Sequence, residues 1–347
     1  MIEHRISVKN NCSLSISRDG SQVGCGSRDG TLRVFSFETG KLRKRVKLSG
    51  ERSLTWVLSS ELRGDLAAAS AYGVVHTIDL GSGAVILTTR GMIDAGGITF
   101  SDDGSIWHGG WALTRCDPST RTSRTIGAGR AVLQVATRGD DVAALTAATD
   151  LVDDTPVAVS LELHRGGAIH TMALPELLWR VKPNGILRSP RLFFGEHGIV
   201  VARPAAEYVG FDEARARYQG RPCPAKQPIV RVEGSVLVFS TELDAPRGLA
   251  WPGGIEPAQI AETQHGLVGF RSDDKIAILP LDGGAPSTHR SRWGLTNRHV
   301  VASHDGSRFA ALYKNKDGVI WLGPRESVLG EPIDDAWDPS DLVPSFT

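Results

Sequence analysis

The chain has 347 residues, 41% of them hydrophobic, and its 39 basic and 39 acidic side chains cancel to a formal net charge of zero. That is enough apolar material for a large core, and the balanced charge argues against general binding of nucleic acid or other polyanions. No run of eighteen apolar residues exists to span a membrane, and Met1-Ile2-Glu3-His4-Arg5 lacks the apolar core of a secretory leader. A cytoplasmic protein without a membrane partner is therefore expected. The four cysteines, Cys12, Cys25, Cys116 and Cys223, show no paired spacing. Cys12 and Cys25 have the parity for a disulfide on one sheet face, with two buried thiols the expected state.

In chain order the first distinctive element is the turn Ser17-Arg18-Asp19-Gly20-Ser21, preceded by Leu14 and Ile16 alternating with Ser13, Ser15 and Ser17. The pattern Ser-x-Asp-Gly-Ser returns at Ser101–Ser105 and Ser303–Ser307. Ser or Asp binds backbone two residues on and Gly supplies positive φ, which suits a short hairpin between antiparallel strands. The first two turns are 84 residues apart, two periods of 42. The first and last are 286 apart, six such periods with an excess of 34 residues. A period near 42 built from strands points to propeller blades.

Gly24-Cys25-Gly26-Ser27-Arg28-Asp29-Gly30-Thr31-Leu32-Arg33-Val34-Phe35-Ser36-Phe37-Glu38-Thr39-Gly40-Lys41, following Ser17-Arg18-Asp19-Gly20, resembles one blade of the WD-repeat family. The resemblance fades after that blade. The naming Trp-Asp dipeptide becomes Phe35-Ser36, Ile78-Asp79 and Cys116-Asp117 in successive repeats, and the opening Gly-His is missing. The resemblance implies that Asp29 belongs to a Ser/Thr–His–Asp hydrogen-bond network, here without its His. It implies a divergent WD-like propeller and a scaffold that binds protein.

The expected fold is all-β: a single seven-bladed β-propeller of four-stranded antiparallel blades over residues 1–329, closed by the N-terminal strand joining the last blade. Blade one spans Cys12 to Leu48, blade two Leu54 to Thr89, and blade three starts at Gly97. Blade four begins near Val132 and ends on Ala168–Leu174. Blade five has strands at Ile186–Phe194, Ile199–Arg203 and Val236–Ser240, and blade six runs from Ala258 to His289. Blade seven offers only His299–Ser303, Phe309–Lys314 and Val319–Leu322, so Arg5–Val8 is expected to pair with the strand holding Ile320 and leave no open edge. The excess of 34 residues falls in blade five as an insertion, residues 204–233, in which Asp212–Tyr218 reads as a short helix. Residues 330–347 are read as a C-terminal tail that docks on its own domain or on a partner.

Loops joining second to third strands, and those between blades, share one face. That face is expected to bind the partner through Tyr72, Trp111, Trp179, Tyr208, Phe211, Tyr218 and Trp293, with Arg28, Arg292 and Arg298. Tyr, Trp and Arg bury large areas and keep a polar handle. Trp251 shares this loop position and, like the other Trp, has the alternative of wedging between blades. Lys41-Leu42-Arg43-Lys44-Arg45-Val46-Lys47 is expected to be the outer strand of blade one, with Lys41, Arg43, Arg45 and Lys47 on one side. Its cations guard an edge or, alternatively, contact phosphate. No H-E-x-x-H, G-x-S-x-G or P-loop pattern occurs, so the leading reading is a non-catalytic scaffold with no cofactor. The alternative is a metal-dependent lactonase-type propeller with a cation at the channel, held by Asp150, Asp153 and Asp154 with Glu207 or Asp212.

Overall fold

The computed structural model describes residues 3–9, 11–48, 57–71, 73–91, 97–127, 129–148, 156–180, 191–202, 206–208, 229–231, 235–252, 259–270, 274–293, 298–313 and 318–333. The first strand, β1 (His4–Ser7), belongs to the last blade. Blade one is β2 (Asn11–Ile16), β3 (Gln22–Ser27), β4 (Thr31–Ser36) and β5 (Leu42–Lys47). Blade two is β6 (Val57–Arg63), β7 (Leu66–Ala71), β8 (Val74–Asp79) and β9 (Val85–Arg90). Blade three is β10 (Ile98–Phe100), β11 (Ile106–His108), β12 (Leu113–Asp117) and β13 (Thr122–Ile126). Blade four is β14 (Arg130–Arg138), β15 (Asp141–Ala148), β16 (Pro156–Arg165) and β17 (Ala168–Arg180).

In blade five, β18 (Arg191–Gly195) and β19 (Gly198–Ala202) are followed by a separate ribbon of β20 (Ala206–Tyr208) and β21 (Ile229–Arg231). β22 (Ser235–Phe239) and β23 (Arg247–Ala250) complete the blade, so the ribbon falls between its second and third strands. Blade six is β24 (Gln259–Thr263), β25 (Gly266–Phe270), β26 (Lys275–Pro280) and β27 (Ser287–Ser291). Blade seven is β28 (Arg298–Ala302), β29 (Arg308–Tyr313), β30 (Val319–Pro324) and β1. His4 pairs with Leu322, Ile6 with Ile320 and Ser7 with Val319, the closure that the alternation of the first strand predicts.

Three details depart from the sequence reading. First, a short helix α1 (Arg325–Val328) leads into β31 (Leu329–Ile333), a fifth strand on β27 of blade six. The stretch read as a tail thus begins inside a sheet. Second, β17 continues past Leu174 to Arg180. Pro175 lacks the N–H that the ladder needs, and the register jumps there from Val159–Leu174 to Ala158–Leu178. Third, β5 carries a bulge. Val34 pairs with Lys44 and Phe35 with Leu42, leaving Arg43 as the extra residue, so its cations do not all alternate onto one side.

An apolar cluster fills each junction between neighbouring blades. Leu32, Val34 and Val46 meet Leu62 and Ile78 between blades one and two. Val23 and Phe35 meet Leu312 and Ile320 between blades seven and one. Leu145, Leu161 and Leu163 meet Leu192 and Phe194 between blades four and five. The leanest cluster lies between blades two and three, with Ala68, Ile106 and Cys116 fully buried. There a polar tie adds to it: Thr89 Oγ1 and His108 Nε2 lie 2.8 Å apart, and burial keeps His108 below the ordinary imidazole range.

Candidate functional site: the channel and the two faces

The first strands of all seven blades surround a central channel of about 810 Å3. Its wall is rich in hydroxyls and amides, among them Ser13, Ser15, Ser59, Ser60, Thr99 and Gln134. Two of the carboxyls that line it are held well above the ordinary range. Glu61 on β6 is pushed up to about 8 by burial alone. Glu262 on β24 is pushed up to about 7 by burial, with the Arg18 guanidinium pulling weakly the other way. Gly195 makes room for the second, since a Cβ there would collide with Glu262 Oε1. At the mouth, the Arg18 guanidinium lies 3.8 Å from Asp102 of blade three and 3.4 Å from His304 Nε2 of blade seven.

The face bearing the first-to-second-strand hairpins is built from the Ser-x-Asp-Gly-Ser turns. Asp19 accepts from Ser17 Oγ at 2.6 Å and from the Ser21 amide at 3.0 Å, with Gly20 at φ +69°. Asp103 and Asp305 repeat the pattern with Ser101/Ser105 and Ser303/Ser307. Burial alone would raise Asp103, but hydrogen bonds from Ser101, Ser105 and Arg115 overcome it and bring the carboxyl down to about 2.

Hydrogen bonds then carry these turns across every junction. Gln22 Nε2 donates to Gly64 O at 2.8 Å, and Arg63 donates to Ser101 O and, at 3.0 Å, to Asp102 O. The Asp102 amide donates to Gly139 O at 3.3 Å, and Arg165 Nη1 to Thr241 O at 3.2 Å. His197 Nε2 reaches Gln264 O at 3.2 Å, the Gln264 amide reaches His304 O at 2.6 Å, and the His304 amide reaches Arg18 O at 3.1 Å. Blades one to seven and back to one are thus tied in a closed ring. This face uses its polar groups to hold the propeller together.

The opposite face carries the second-to-third-strand loops, the interblade connections and the ribbon β20–β21. Trp111, between β11 and β12, is 59% exposed. Arg28, between β3 and β4, and Arg292, after β27, are also exposed. Trp293 is different: it is 5% exposed and packs edge-on against Trp321, ring centroids 5.8 Å apart. A Cβ on Gly323 would come within 2.7 Å of Trp293 Cζ2, so Gly323 clears space for the indole. Trp293 and the equally buried Trp251 are wedges between blades. Trp111→Ala is expected to leave the thermal midpoint within the ±0.5 kcal/mol typical of surface changes, whereas Trp293→Ala costs about 3–5 kcal/mol. Parallel melting curves of the two variants check this, and equal losses would contradict it.

Trp179 stands in β17 opposite Val157, Tyr208 in β20 opposite Ile229, and Arg298 opens β28 opposite Tyr313. Tyr72, Phe211 and Tyr218 lie outside the described residues, as do Asp150, Asp153, Asp154 and Asp212. Among the described residues no three His, Cys, Asp or Glu side chains converge as metal ligands.

The sequence reading missed a fourth turn of the same kind, Ser27-Arg28-Asp29-Gly30-Thr31, on the loop face. Asp29 accepts from Ser27 Oγ and, at 3.0 Å, from the Thr31 amide. Arg33 donates to Ser27 Oγ at 3.1 Å and lies 3.8 Å from Asp29, so a guanidinium completes the network that the WD-repeat resemblance expects a His to join. The residues replacing the Trp-Asp dipeptide also have a structural role. Asp79 and Asp117 cap the third-to-fourth-strand turns by accepting from Ser82 N at 3.1 Å and Ser119 N at 2.9 Å.

Seven antiparallel blades around a polar channel, with β1 closing blade seven, define a seven-bladed β-propeller. Solved structures agree. The chain is similar to the Pan2 WD40 domain of Neurospora crassa, with a TM-score of 0.60 at 12% identity over 93% of this chain and 92% of that one. It is also similar to the Cps50 (Swd1) β-propeller domain of Myceliophteria thermophila, with a TM-score of 0.56 at 12% identity over 92% of this chain and 98% of that one. No protein-family model and no curated protein matches the sequence.

Proposed function

We propose that the protein is a non-catalytic scaffold that binds a protein or peptide through the loop face bearing the blade-five insertion. The observation that carries this reading is the asymmetry of the two faces. The hairpin face ties its turns to one another across all seven junctions. The loop face bears exposed Trp111, Arg28 and Arg292 and the ribbon β20–β21. Long connections in compact domains commonly serve function, and exposed Trp and Arg are the side chains that anchor interfaces. The fold supports the reading by analogy only, since propellers serve both as scaffolds and as enzymes.

The test is affinity capture from the source cell with the intact chain and with residues 204–233 replaced by a short Gly-Ser linker. The intact chain is expected to retain a stoichiometric partner that the shortened chain loses. Equal recovery by both would overturn the assignment of the face.

A further inference from the structure

The outer strand of blade one presents cations that are only partly engaged among the described residues. On β5 and its entry, Lys41, Leu42, Arg43, Arg45 and Lys47 are exposed and only Val46 is fully buried. Two of the cations are engaged within the fold: Lys44 Nζ donates to Gly81 O at 2.7 Å, and Lys47 Nζ donates to Asp29 O. Among the described residues, Lys41, Arg43 and Arg45 make no ion pair. Leu42 beside them is 51% exposed. β5 pairs with β4 on its inner side, and no strand among the described residues pairs with its outer side.

The propeller shows elsewhere what such an edge accepts. On blade six the chain lays β31 along the outer strand β27 as a fifth, antiparallel strand, with Thr288 opposite Ile333 and Ser291 opposite Leu329. The added segment, Leu329-Gly330-Glu331-Pro332-Ile333, carries an acid, and the strand it covers carries His289 and Arg290. A fifth strand therefore fits the rim sterically, and its ladder tolerates a proline.

We propose that β5 is a docking edge for an extended acidic segment of a partner protein, which adds to blade one as a fifth antiparallel strand. Unpaired backbone groups on an edge supply affinity, and the side chains flanking them supply selectivity. Acids two residues apart on the incoming strand repeat about every 6.8 Å, the spacing that separates Arg45 from Lys47 on the regular part of β5, beyond the bulge at Arg43. Lys and Arg on the edge repel a second copy of the same strand while attracting an acidic one, so one feature both prevents self-pairing and selects the ligand. A peptide is favoured over nucleic acid because the edge offers a backbone ladder and an exposed Leu, and no aromatic side chain on which a base would stack. This site is separate from the loop face.

Fluorescence anisotropy on the full chain tests it, using a labelled nine-residue peptide that alternates Glu with Val or Thr. Saturable binding is expected, weakened at least about tenfold between 50 and 500 mM NaCl as exposed charges are screened. The double change Arg43→Glu/Arg45→Glu is expected to weaken it by at least about tenfold, with the melting midpoint within a few degrees of the original. On unaltered protein, three consecutive central N-methyl residues in the peptide are expected to abolish binding, because they remove ladder donors without changing charge. Deleting residues 204–233 leaves this binding intact, which separates the outcome from that of the loop-face reading. No binding, or equal binding of the N-methyl peptide, would overturn the proposal. A single-stranded RNA that binds more tightly and is released by the same double change would overturn it in favour of a phosphate-contacting stripe.

Discussion

A chain lacking residues 1–9 is expected to melt well below the intact protein and to recover its stability when a peptide of residues 1–10 is added in trans. β1 contributes the outer strand of blade seven, with four residue pairs to β30 and a further bond from the Val8 amide to Gly318 O at 3.0 Å. Val8 is 4% exposed within the cluster between blades seven and one, with Ile6 packed against it. The Arg5 guanidinium sits 4.6 Å from the centre of the Trp321 ring. Ladder bonds at about 1 kcal/mol each, and two apolar side chains at about 1.5–3 each, are opposed by the ordering cost of the same residues. A net loss of about 3–5 kcal/mol follows, or roughly 4–7 °C in the melting midpoint of a chain of 347 residues. Deletion also bares an edge strand, so concentration-dependent association should accompany the loss. Arg5→Ala alone removes the ring contact at a cost of about 0.5–1 kcal/mol. A truncated chain with an unchanged midpoint would contradict ring closure through β1.

Glu61→Gln is expected to stabilise the protein at alkaline pH and to leave it almost unchanged at pH 5. The ordinary value of the Glu61 carboxyl is 4.5, and burial in the channel wall raises it to about 8. Between these values the native state holds a proton that the unfolded chain has lost, so stability falls as pH rises across that window. The contribution is fully present below pH 4.5 and is lost by about pH 8 to 9. A displacement of that size corresponds to about 5 kcal/mol, but Glu61 is only partly buried and the open channel admits water, so about 2–3 kcal/mol is expected. Arg63, two residues on, donates its guanidinium to carbonyls of blade three, and Arg18 faces Asp102. Glu262→Gln should act in the same direction over a narrower window, between 4.5 and about 7. Melting midpoints of the two variants and the parent from pH 4 to 9 check this. Curves that stay parallel throughout would show that the channel carboxyls are ionised and solvated.

The repeat was legible because its turns are made by chemistry that few residue types can supply. Asp19, Asp103 and Asp305 each accept from flanking Ser hydroxyls beside a positive-φ glycine, and that requirement makes the pattern recur while the rest of each blade differs in sequence. The closure was legible because Ile6 sits in a short alternating strand and blade seven had a place open opposite Ile320.

What stayed hidden depends on contacts distant in sequence. β31 contains Gly330 and Pro332, residues depleted in strands, and it forms because β27 offers an edge. The burial of Trp293 follows from Gly323 and Trp321, thirty positions away, and a loop position reads the same for a wedge as for an anchor. Glu61 and Glu262 look like ordinary polar residues of alternating strands until the topology places β6 and β24 against the channel. The ring of hydrogen bonds on the hairpin face was equally invisible, because most of its acceptors are backbone carbonyls.

The central claim, that the partner is held on the loop face, is tested most directly by amide hydrogen exchange on the captured complex. Protection is expected in the β11–β12 loop around Trp111, in the β3–β4 turn at Arg28 and across residues 204–233, with the turns at 17–21, 101–105 and 303–307 unchanged. Protection of those three turns, with the loop face unaltered, would contradict the claim.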